Sequence, residues 1–271
     1  MIEDIYGISK RLDFVVNVLT ERNAKRVLDV GCGTGVNLTV MLAQHFPNTQ
    51  FIAIDSDSAS IACATRENQL TNVRYLVESD AVNLGVFDVI IASEVIEHVE
   101  DPDAFLDNLR GLLAPDGRLV LTLPNGLGPF ELASFIETVA HLTGVYRVLR
   151  TLKRLVRPSN AVPVAAGTLA VSPHINFFSY RQIQTLIATG GFRVLAYRPR
   201  TFLCGFVFDQ LMRSRRAIDW NARISDQLPP QLASAWAFLL APESSRSGAA
   251  YRRGTYARMR RYLNEKRWGL R

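Results

Sequence analysis

The chain has 271 residues, of which 48% are hydrophobic and 21% charged, the balance of a globular protein rather than of a disordered chain. No apolar run approaches the roughly 20 residues that cross a bilayer, and Glu3 and Asp4 stand where a secretory leader would be apolar. The three cysteines are scattered without metal-ligand spacing, which fits a reducing compartment. We therefore expect a cytoplasmic protein.

Charge is divided unevenly along the chain. Residues 1–128 carry 9 Lys/Arg and 18 Asp/Glu, whereas residues 129–271 carry 22 and 7. A basic second half can face an anionic partner such as a membrane surface or a polyanion. It can equally be a solvated surface with an arginine-rich tail, and both alternatives stay open.

Buried strands alternate with helices through the first half of the chain. A helix over 8–22 leads into a strand that ends at Val30, and the loop that follows contains Gly31, Gly33 and Gly35. The next predicted elements are a helix over 36–46, strands over 50–55 and 73–77 around a helix over 58–70, a strand over 87–92, a helix over 102–113, a turn over 114–117 and a strand over 118–123. This alternation predicts a doubly wound α/β sheet.

The alternation is interrupted after residue 128 and resumes later. The later predicted elements are helical patterning over 129–157, a loop over 158–173, a helix over 180–189 that begins with a Ser179/Gln182 capping box, a strand over 192–197, irregular to helical residues over 205–232, a last strand over 235–240 and a helix from about 251. We predict a core of 1–128 and 174–242, a helical insertion or lid over 129–173, and a basic C-terminal extension over 243–271.

The glycine loop is the first candidate for ligand binding. Alternating glycines bring the backbone close to a ligand, and the unpaired N–H groups of a following helix can meet an anionic group. A nicotinamide or flavin fingerprint would need its third glycine at Val36. Asp55, 24 residues after Gly31, is placed to accept hydrogen bonds from both ribose hydroxyls of a nucleoside. The alternative is a surface aspartate that caps the next helix.

Several motifs occur together in one order. They are Val27–Gly35, Ala53–Asp55, Phe87–Ile90, Ser93–Val99 and Leu112–Leu119. With them the chain resembles the class I S-adenosylmethionine-dependent methyltransferases, in particular the ubiquinone-biosynthesis O-methyltransferase-like branch, over about 25–126 and again over 174–195. The resemblance implies a Rossmann-like seven-stranded sheet with its last strand antiparallel. It also implies S-adenosylmethionine as cofactor and S-adenosylhomocysteine as product.

The resemblance further implies roles around the cofactor. Asp29 and the glycine loop would hold the methionine end, Asp55 the ribose and Asp80 the adenine, with Ser93 and Glu94 on the methyl-donor side. The full implied cofactor-binding set is Asp29, Gly31, Cys32, Gly33, Gly35, Asp55, Ser56, Asp80, Ala81, Ser93 and Glu94.

Two histidines are candidate catalytic residues. A hydroxyl nucleophile needs a proton acceptor near neutral pH, and His98 titrates in that range. In a helix, Glu94, Glu97 and His98 would share one face and could hold a divalent cation such as magnesium, as some ubiquinone-pathway relatives are thought to do. The alternative is that Glu97 and His98 make structural hydrogen bonds. His174 is a second candidate base or substrate contact, or else a satisfied loop histidine.

The predicted insertion over 129–173 gives an indication of the kind of methyl acceptor. Its apolar residues Val148, Leu149, Leu152, Leu155 and Val156 fall on one helical face, and basic residues fill the rest. Such a helix is typical of a membrane interface, of a lid, or of packing on the core or on a second copy in a homodimer. We predict O-methylation of a small-molecule, glycan or lipid-linked acceptor, with peripheral contact to the inner face of an anionic membrane.

Two other function classes remain. One is an RNA or protein methyltransferase that docks through its basic half; no nucleic-acid recognition motif accompanies these basic residues. The loop Pro124–Gly126 also differs from the Asn-Pro-Pro-Tyr type loop of amino-methylating nucleic-acid enzymes. The other is a non-catalytic protein that binds the cofactor or a partner.

Overall fold

The computed structural model describes residues 3–145, 172–205, 208, 212 and 214–270. In chain order these residues form α1 (Ile8–Arg22), β1 (Arg26–Val30), α2 (Thr39–His45), β2 (Gln50–Asp55), α3 (Ser58–Glu67), β3 (Val73–Val77), β4 (Phe87–Ser93), α4 (Pro102–Gly111), β5 (Leu113–Pro124), α5 (Pro129–Leu142), α6 (Tyr180–Thr189), β6 (Phe192–Pro199), α7 (Arg215–Ile224), β7 (Ala235–Pro242) and α8 (Thr255–Arg267). Within those ranges, every helix is too short or too polar to cross a bilayer.

The seven strands form one mixed sheet in the order β3-β2-β1-β4-β5-β7-β6. Strands β1 to β5 pair in parallel, whereas β7 runs antiparallel to both β5 and β6. The predicted doubly wound, Rossmann-like sheet of seven strands with an antiparallel last strand is therefore confirmed. Because the strand order reverses between β1 and β4, their carboxyl ends leave a crevice, which is where ligands bind in such sheets.

Apolar clusters cover both faces of the sheet. On one face, Val15 and Leu19 of α1 and Leu42 of α2 pack on the central strands. On the other face, Leu106 of α4 and Ile183 of α6 do the same. Each such buried side chain contributes about 1.5–3 kcal/mol to folding. The predicted capping box of α6 is present, with Ser179 and Gln182 each bonding the other's backbone, and the rigid layers fix the crevice between them.

The helix predicted over 36–46 begins only at Thr39. Gly35 adopts a left-handed backbone with φ of +76°, and residues 36–38 form turns. The expectation that the glycine loop opens directly into a helix is therefore wrong, and α2 is only 7 residues long. A ligand at the loop would therefore meet the backbone and side chains of the loop rather than the end of a helix.

Other boundaries also differ from the prediction. The turn predicted over 114–117 lies inside β5, where Leu113 pairs with Phe87 and Arg118 with Val89 across a register shift. Helices α3 and α4 end at Glu67 and Gly111, before the predicted limits. The last helix begins at Thr255 rather than near 251. Of the insertion, α5 and the residues to 145 are described, while the predicted basic helix lies outside the described residues.

Candidate active site

A cavity of about 570 Å³ lies at the carboxyl ends of β1, β2 and β4. Its walls come from the glycine loop, the ends of β2 and β4, helix α1 and the segment 93–99. Eight of the eleven implied cofactor-binding residues line it: Asp29, Gly31, Cys32, Gly33, Asp55, Ser56, Ser93 and Glu94. Gly35, Asp80 and Ala81 are not among the lining residues, whereas Glu78, which the sequence did not single out, is.

The glycine loop owes its shape to close packing behind it. Gly31 has φ of +71°, and a Cβ there would lie 2.4 Å from Cγ2 of Val95. Real Cβ atoms do not approach so closely, so only glycine fits this position. Cys32, the next residue, lies beside the cavity, and burial raises the pKa of its thiol. The thiol is therefore neutral and contributes shape rather than nucleophilic chemistry.

The Asp55 carboxylate joins the loop to the end of β2. Its Oδ2 accepts a hydrogen bond from Gly33 N (2.7 Å) and its Oδ1 accepts one from Asp57 N (2.8 Å). The N-cap of α3 is Asp57, which accepts from Ala59 N and Ser60 N. Asp55 thus lines the cavity and does not cap the helix. Its remaining lone pairs can accept hydrogen bonds from hydroxyl groups of a ligand.

Asp29 and Arg11 both lie on the wall of the cavity. Asp29 is buried and accepts a hydrogen bond from Thr39 Oγ1 (2.6 Å). Burial raises its pKa to about 6, although Thr39 and Arg11 act in the opposite direction. Arg11 donates through Nη1 to Ser93 Oγ (3.2 Å), and its Nε has no partner among the described residues. Together they present one acidic and one basic group to the cavity.

Sequence reasoning missed Arg11, although a signal was present. Arg11 lies on the buried face of α1, where Val15 and Val18 follow at helical spacing. A charged residue on an apolar helix face is buried only when it has a partner or a function. Arg11 lines the cavity and therefore belongs with the candidate site residues.

The segment from Glu94 to His98 is not helical. Glu94 has φ of +58°, a left-handed conformation uncommon for glutamate, and His98 N donates to Val95 O in a turn. Glu94 Oε1 lies 3.0 Å from Arg200 Nη1 and accepts from Thr122 Oγ1 at 2.8 Å. Burial alone would raise the pKa of Glu94, but the nearby guanidinium groups outweigh it and lower the pKa.

The structure brings Glu97, His98 and His174 together instead. One ligand atom from each lies within 4.8 Å of the others, so His174 stands where Glu94 was expected. Glu97 is 1% exposed, and neither of its oxygens has a hydrogen-bond partner among the described residues. Burial, reinforced by the charge of Glu94, raises the pKa of Glu97.

The two histidines of this group differ in protonation. Burial would lower the pKa of His174, but Glu131 at 2.6 Å and the other glutamates outweigh it and raise the pKa to about 9. Burial and then the charge of His174 lower the pKa of His98 to about 4. His98 Nδ1 lies 3.3 Å from Pro173 O. At neutral pH His98 is therefore neutral and His174 cationic.

The ligand atoms that Glu97, His98 and His174 offer can be compared with the ligands that different metal ions prefer. A buried carboxylate without a partner suits a cation, and a histidine held through its other nitrogen by a carboxylate is usual around metals. Two imidazoles and one carboxylate are typical of Zn²⁺ or similar ions, whereas Mg²⁺ prefers oxygen ligands. The residue types are those of a transition-metal site and give magnesium no support; because the pKa values of Glu97 and His174 are raised, a cation would first have to displace their protons.

Comparison with known proteins supplies the family. A family model described as a methyltransferase domain matches residues 5–197. Ubiquinone biosynthesis O-methyltransferase of Rickettsia felis is 33% identical over 121 residues, 42% of this chain and 49% of that protein. The mitochondrial ubiquinone biosynthesis O-methyltransferase of Schizosaccharomyces pombe is 37% identical over 125 residues, 42% of this chain and 44% of that protein. The match thus spans less than half the length of each of these two relatives.

A solved structure agrees in fold. PKMT2 from Rickettsia typhi in complex with AdoHcy has a TM-score of 0.52 at 17% identity, over 83% of this chain and 50% of that chain. Identity this low speaks for the fold alone. With the family match over 5–197, it confirms the resemblance carried by the sequence motifs. The chain belongs to the methyltransferase-domain family, as a class I S-adenosylmethionine-dependent member similar to the ubiquinone-biosynthesis O-methyltransferases.

Proposed function

We propose that this protein transfers the methyl group of S-adenosylmethionine to a hydroxyl oxygen of a small-molecule acceptor. The observation that carries the proposal is the position of His98 on the wall of the cavity that Asp55 and the glycine loop also line; burial lowers the pKa of this histidine, which favours its neutral form. Relatives named as ubiquinone biosynthesis O-methyltransferases support oxygen as the methylated atom.

Different residues of the cavity would bind different parts of the cofactor. Asp55 would accept the ribose hydroxyls, while Arg11 would pair with the methionine carboxylate and Asp29 with its ammonium group. When bound, the cofactor would supply an activated methyl group, and its sulfur would keep the electron pair of the broken C–S bond and leave as S-adenosylhomocysteine. The protein's main task is then to align the acceptor and exclude water.

His98 would take the acceptor's proton. The hydroxyl becomes far more acidic as its oxygen bonds to the methyl carbon, so a weak base suffices, and neutral His98 has a free lone pair at physiological pH. If the proton leaves before the methyl group arrives, the cationic ring of His174 would stabilise the resulting oxyanion. A divalent cation held by Glu97, His98 and His174 would instead lower the pKa of the hydroxyl.

An apolar or lipid-linked acceptor is supported by α5, which follows β5 at the cavity end of the sheet. Leu132, Ile136 and Val139 are spaced along one face of this helix and are 57%, 52% and 38% exposed. A stripe of large apolar side chains of this kind marks a surface that a partner or a membrane covers. We propose contact with an anionic membrane from which an apolar acceptor is drawn.

The alternative of RNA docking through the basic half is less well supported. Arg260, Arg261 and Arg267 of α8 are each in a salt bridge with a glutamate. A guanidinium group that is already paired contributes little to the attraction of phosphates. Nucleic-acid binding that falls steeply with added salt would revive this alternative.

Cofactor binding and product release test the proposal. By calorimetry, wild-type protein should bind S-adenosylhomocysteine, and Asp55→Asn should weaken binding by about tenfold or more because charge-assisted hydrogen bonds to the ribose are lost. The protein is then incubated with S-adenosylmethionine and a panel of catechols, polyprenylated phenols and sugars, and release of S-adenosylhomocysteine is measured. Folded wild-type protein that binds no S-adenosylhomocysteine at millimolar concentration would refute the proposal.

A further inference from the structure

The basic C-terminal segment is tied to the two loops that carry the active-site histidines. Arg253 donates through Nη2 to Glu100 O (2.6 Å) and through Nε to Asn176 Oδ1 (2.8 Å). Asn264 Nδ2 of α8 donates to His174 O (3.2 Å). These contacts hold the backbone of Glu100 and His174 and the side chain of Asn176, so the C-terminal segment packs against the loops that carry the histidine pair.

At the centre of this contact is a fully buried guanidinium group. Arg260 is 0% exposed, and its Nη2 donates to Glu131 Oε2 of α5 at 2.6 Å. Its CZ atom lies 5.1 Å from the ring centre of Phe135 and 4.8 Å from that of Phe177. Two further nitrogens, Nε and Nη1, have no hydrogen-bond partner among the described residues.

A buried ion pair of this kind is weak evidence for stability. Desolvating both charges costs as much as their attraction returns, and an apolar pair of the same volume is often equally stable. Packing of α8 on α5 therefore does not by itself require Arg260 and Glu131. A role in holding something else in place would account for them.

The second oxygen of the same carboxylate contacts His174, which lies behind His98 and is not itself among the residues that line the cavity. Glu131 Oε1 accepts a hydrogen bond from His174 Nδ1 at 2.6 Å, and the ring of His174 lies against that of His98 with centroids 4.8 Å apart. Since Nδ1 is committed to Glu131, Nε2 is the nitrogen through which His174 can act on an acceptor. A third group that orients a catalytic imidazole in this way is a recurrent device in enzymes.

We propose that Arg260 is a positioning residue of the active site, which holds the Glu131 carboxylate in the orientation that fixes the ring of His174 beside His98. It acts from the C-terminal helix through Glu131 and does not touch the reacting atoms. The inference rests on the proposed function insofar as His174 assists methyl transfer.

The histidine side chains provide a direct readout, because the chain contains only 4 histidines. Metal-free protein with ¹⁵N-labelled histidine is examined by NMR, and the His174 signals are assigned with His174→Asn. In wild-type protein the Nδ1 proton of His174 should be strongly shifted downfield by its bond to the carboxylate. Arg260→Met should shift or broaden that signal and leave those of His45 and His141 unchanged.

A matched control is available on the same pair of helices. Arg267 of α8 pairs with Glu137 of α5 at 2.9 Å, so Arg267→Met removes a second, less buried ion pair between the same two helices, away from His174. It should leave the His174 signal unchanged. Glu131→Gln keeps the side-chain volume but removes the charged acceptor, and should change the signal even if Arg260→Met fails to fold.

Turnover gives the second readout, on the best acceptor from the panel described above. Arg260→Met should lower kcat by about 10- to 100-fold, as loss of an outer-shell partner does, with KM nearly unchanged and partial rescue in Arg260→Lys. An unchanged His174 signal in folded Arg260→Met, or in Glu131→Gln, would overturn the proposal. If wild-type protein binds no S-adenosylhomocysteine, the proposed function fails. The positioning role of Arg260 is still decided separately, by whether the His174 signal depends on Arg260.

Discussion

The imidazole rings of His98 and His174 pack edge to face, with centroids 4.8 Å apart and planes at 75°. They come from a turn after β4 and from the loop before α6, 76 positions apart in the chain. Glu131 keeps His174 protonated, and the resulting charge helps to keep His98 neutral. The pair thus places a neutral imidazole beside a cationic one, which is the arrangement on which the proposed methyl transfer relies.

Replacement of His98 tests this division of roles. His98→Asn should lower kcat by about 10²- to 10⁴-fold, the usual contribution of a positioned base, because no other neutral imidazole is present in the group. Binding of S-adenosylhomocysteine by calorimetry should stay within a few-fold of wild type. The control His141→Asn changes a histidine of α5 outside the group and should leave kcat unaffected. Equal losses in both variants would contradict the role of His98.

Arg11 is expected to recognise the carboxylate of the cofactor. Arg11→Met should weaken S-adenosylhomocysteine binding by about 10- to 100-fold, the loss of one hydrogen bond to a charged group. Methylthioadenosine lacks that carboxylate and should bind the variant and the wild-type protein equally. If both ligands lose the same affinity, Arg11 instead supports the shape of the cavity through its bond to Ser93.

The raised pKa of Asp29 predicts a pH-dependent stability. Its folded-state pKa of about 6 exceeds the value near 4 of an unfolded chain, so protonation favours the folded state. The gain in unfolding free energy from protonated Asp29 is at most about 3 kcal/mol. It is fully present below pH 4 and is lost as the pH rises through 6. Urea unfolding of cofactor-free protein should show this decline, and Asp29→Asn should flatten it. A wild-type profile as flat as that of the variant would contradict the shift.

Gly31 should be intolerant of any side chain. Gly31→Ala adds a Cβ 2.4 Å from Val95 Cγ2 at a φ of +71°, and should cost about 1–3 kcal/mol in unfolding free energy with loss of cofactor binding. Val95→Ala removes the clashing methyl group, so the double variant should recover part of the stability. Absence of any recovery would mean that the backbone conformation alone sets the cost.

Much of this fold could be predicted from local patterns, and much of the site could not. The strands β2 and β3 and the helix α6 match their predicted bounds, because apolar runs and a capping box are local signals. The bond between Arg260 and Glu131 joins residues 129 positions apart, and no local pattern encodes it. The left-handed backbone of Glu94 could likewise not be predicted, and the turn over Glu94–His98 replaces the helix in which Glu94, Glu97 and His98 would have shared a face.

The exposed stripe on α5 predicts vesicle binding that one substitution can remove. Ile136, which is 52% exposed, should insert its side chain into the interfacial region of a bilayer. Wild-type protein should co-sediment with vesicles of phosphatidylcholine and phosphatidylglycerol at low salt, and Ile136→Asp should release it while S-adenosylhomocysteine binding persists. Val82→Asp changes an apolar residue that is 71% exposed, in the loop between β3 and β4, and should have no effect. Wild-type protein that stays in the supernatant would remove the membrane from the proposed function and leave the methyl-transfer site as it stands.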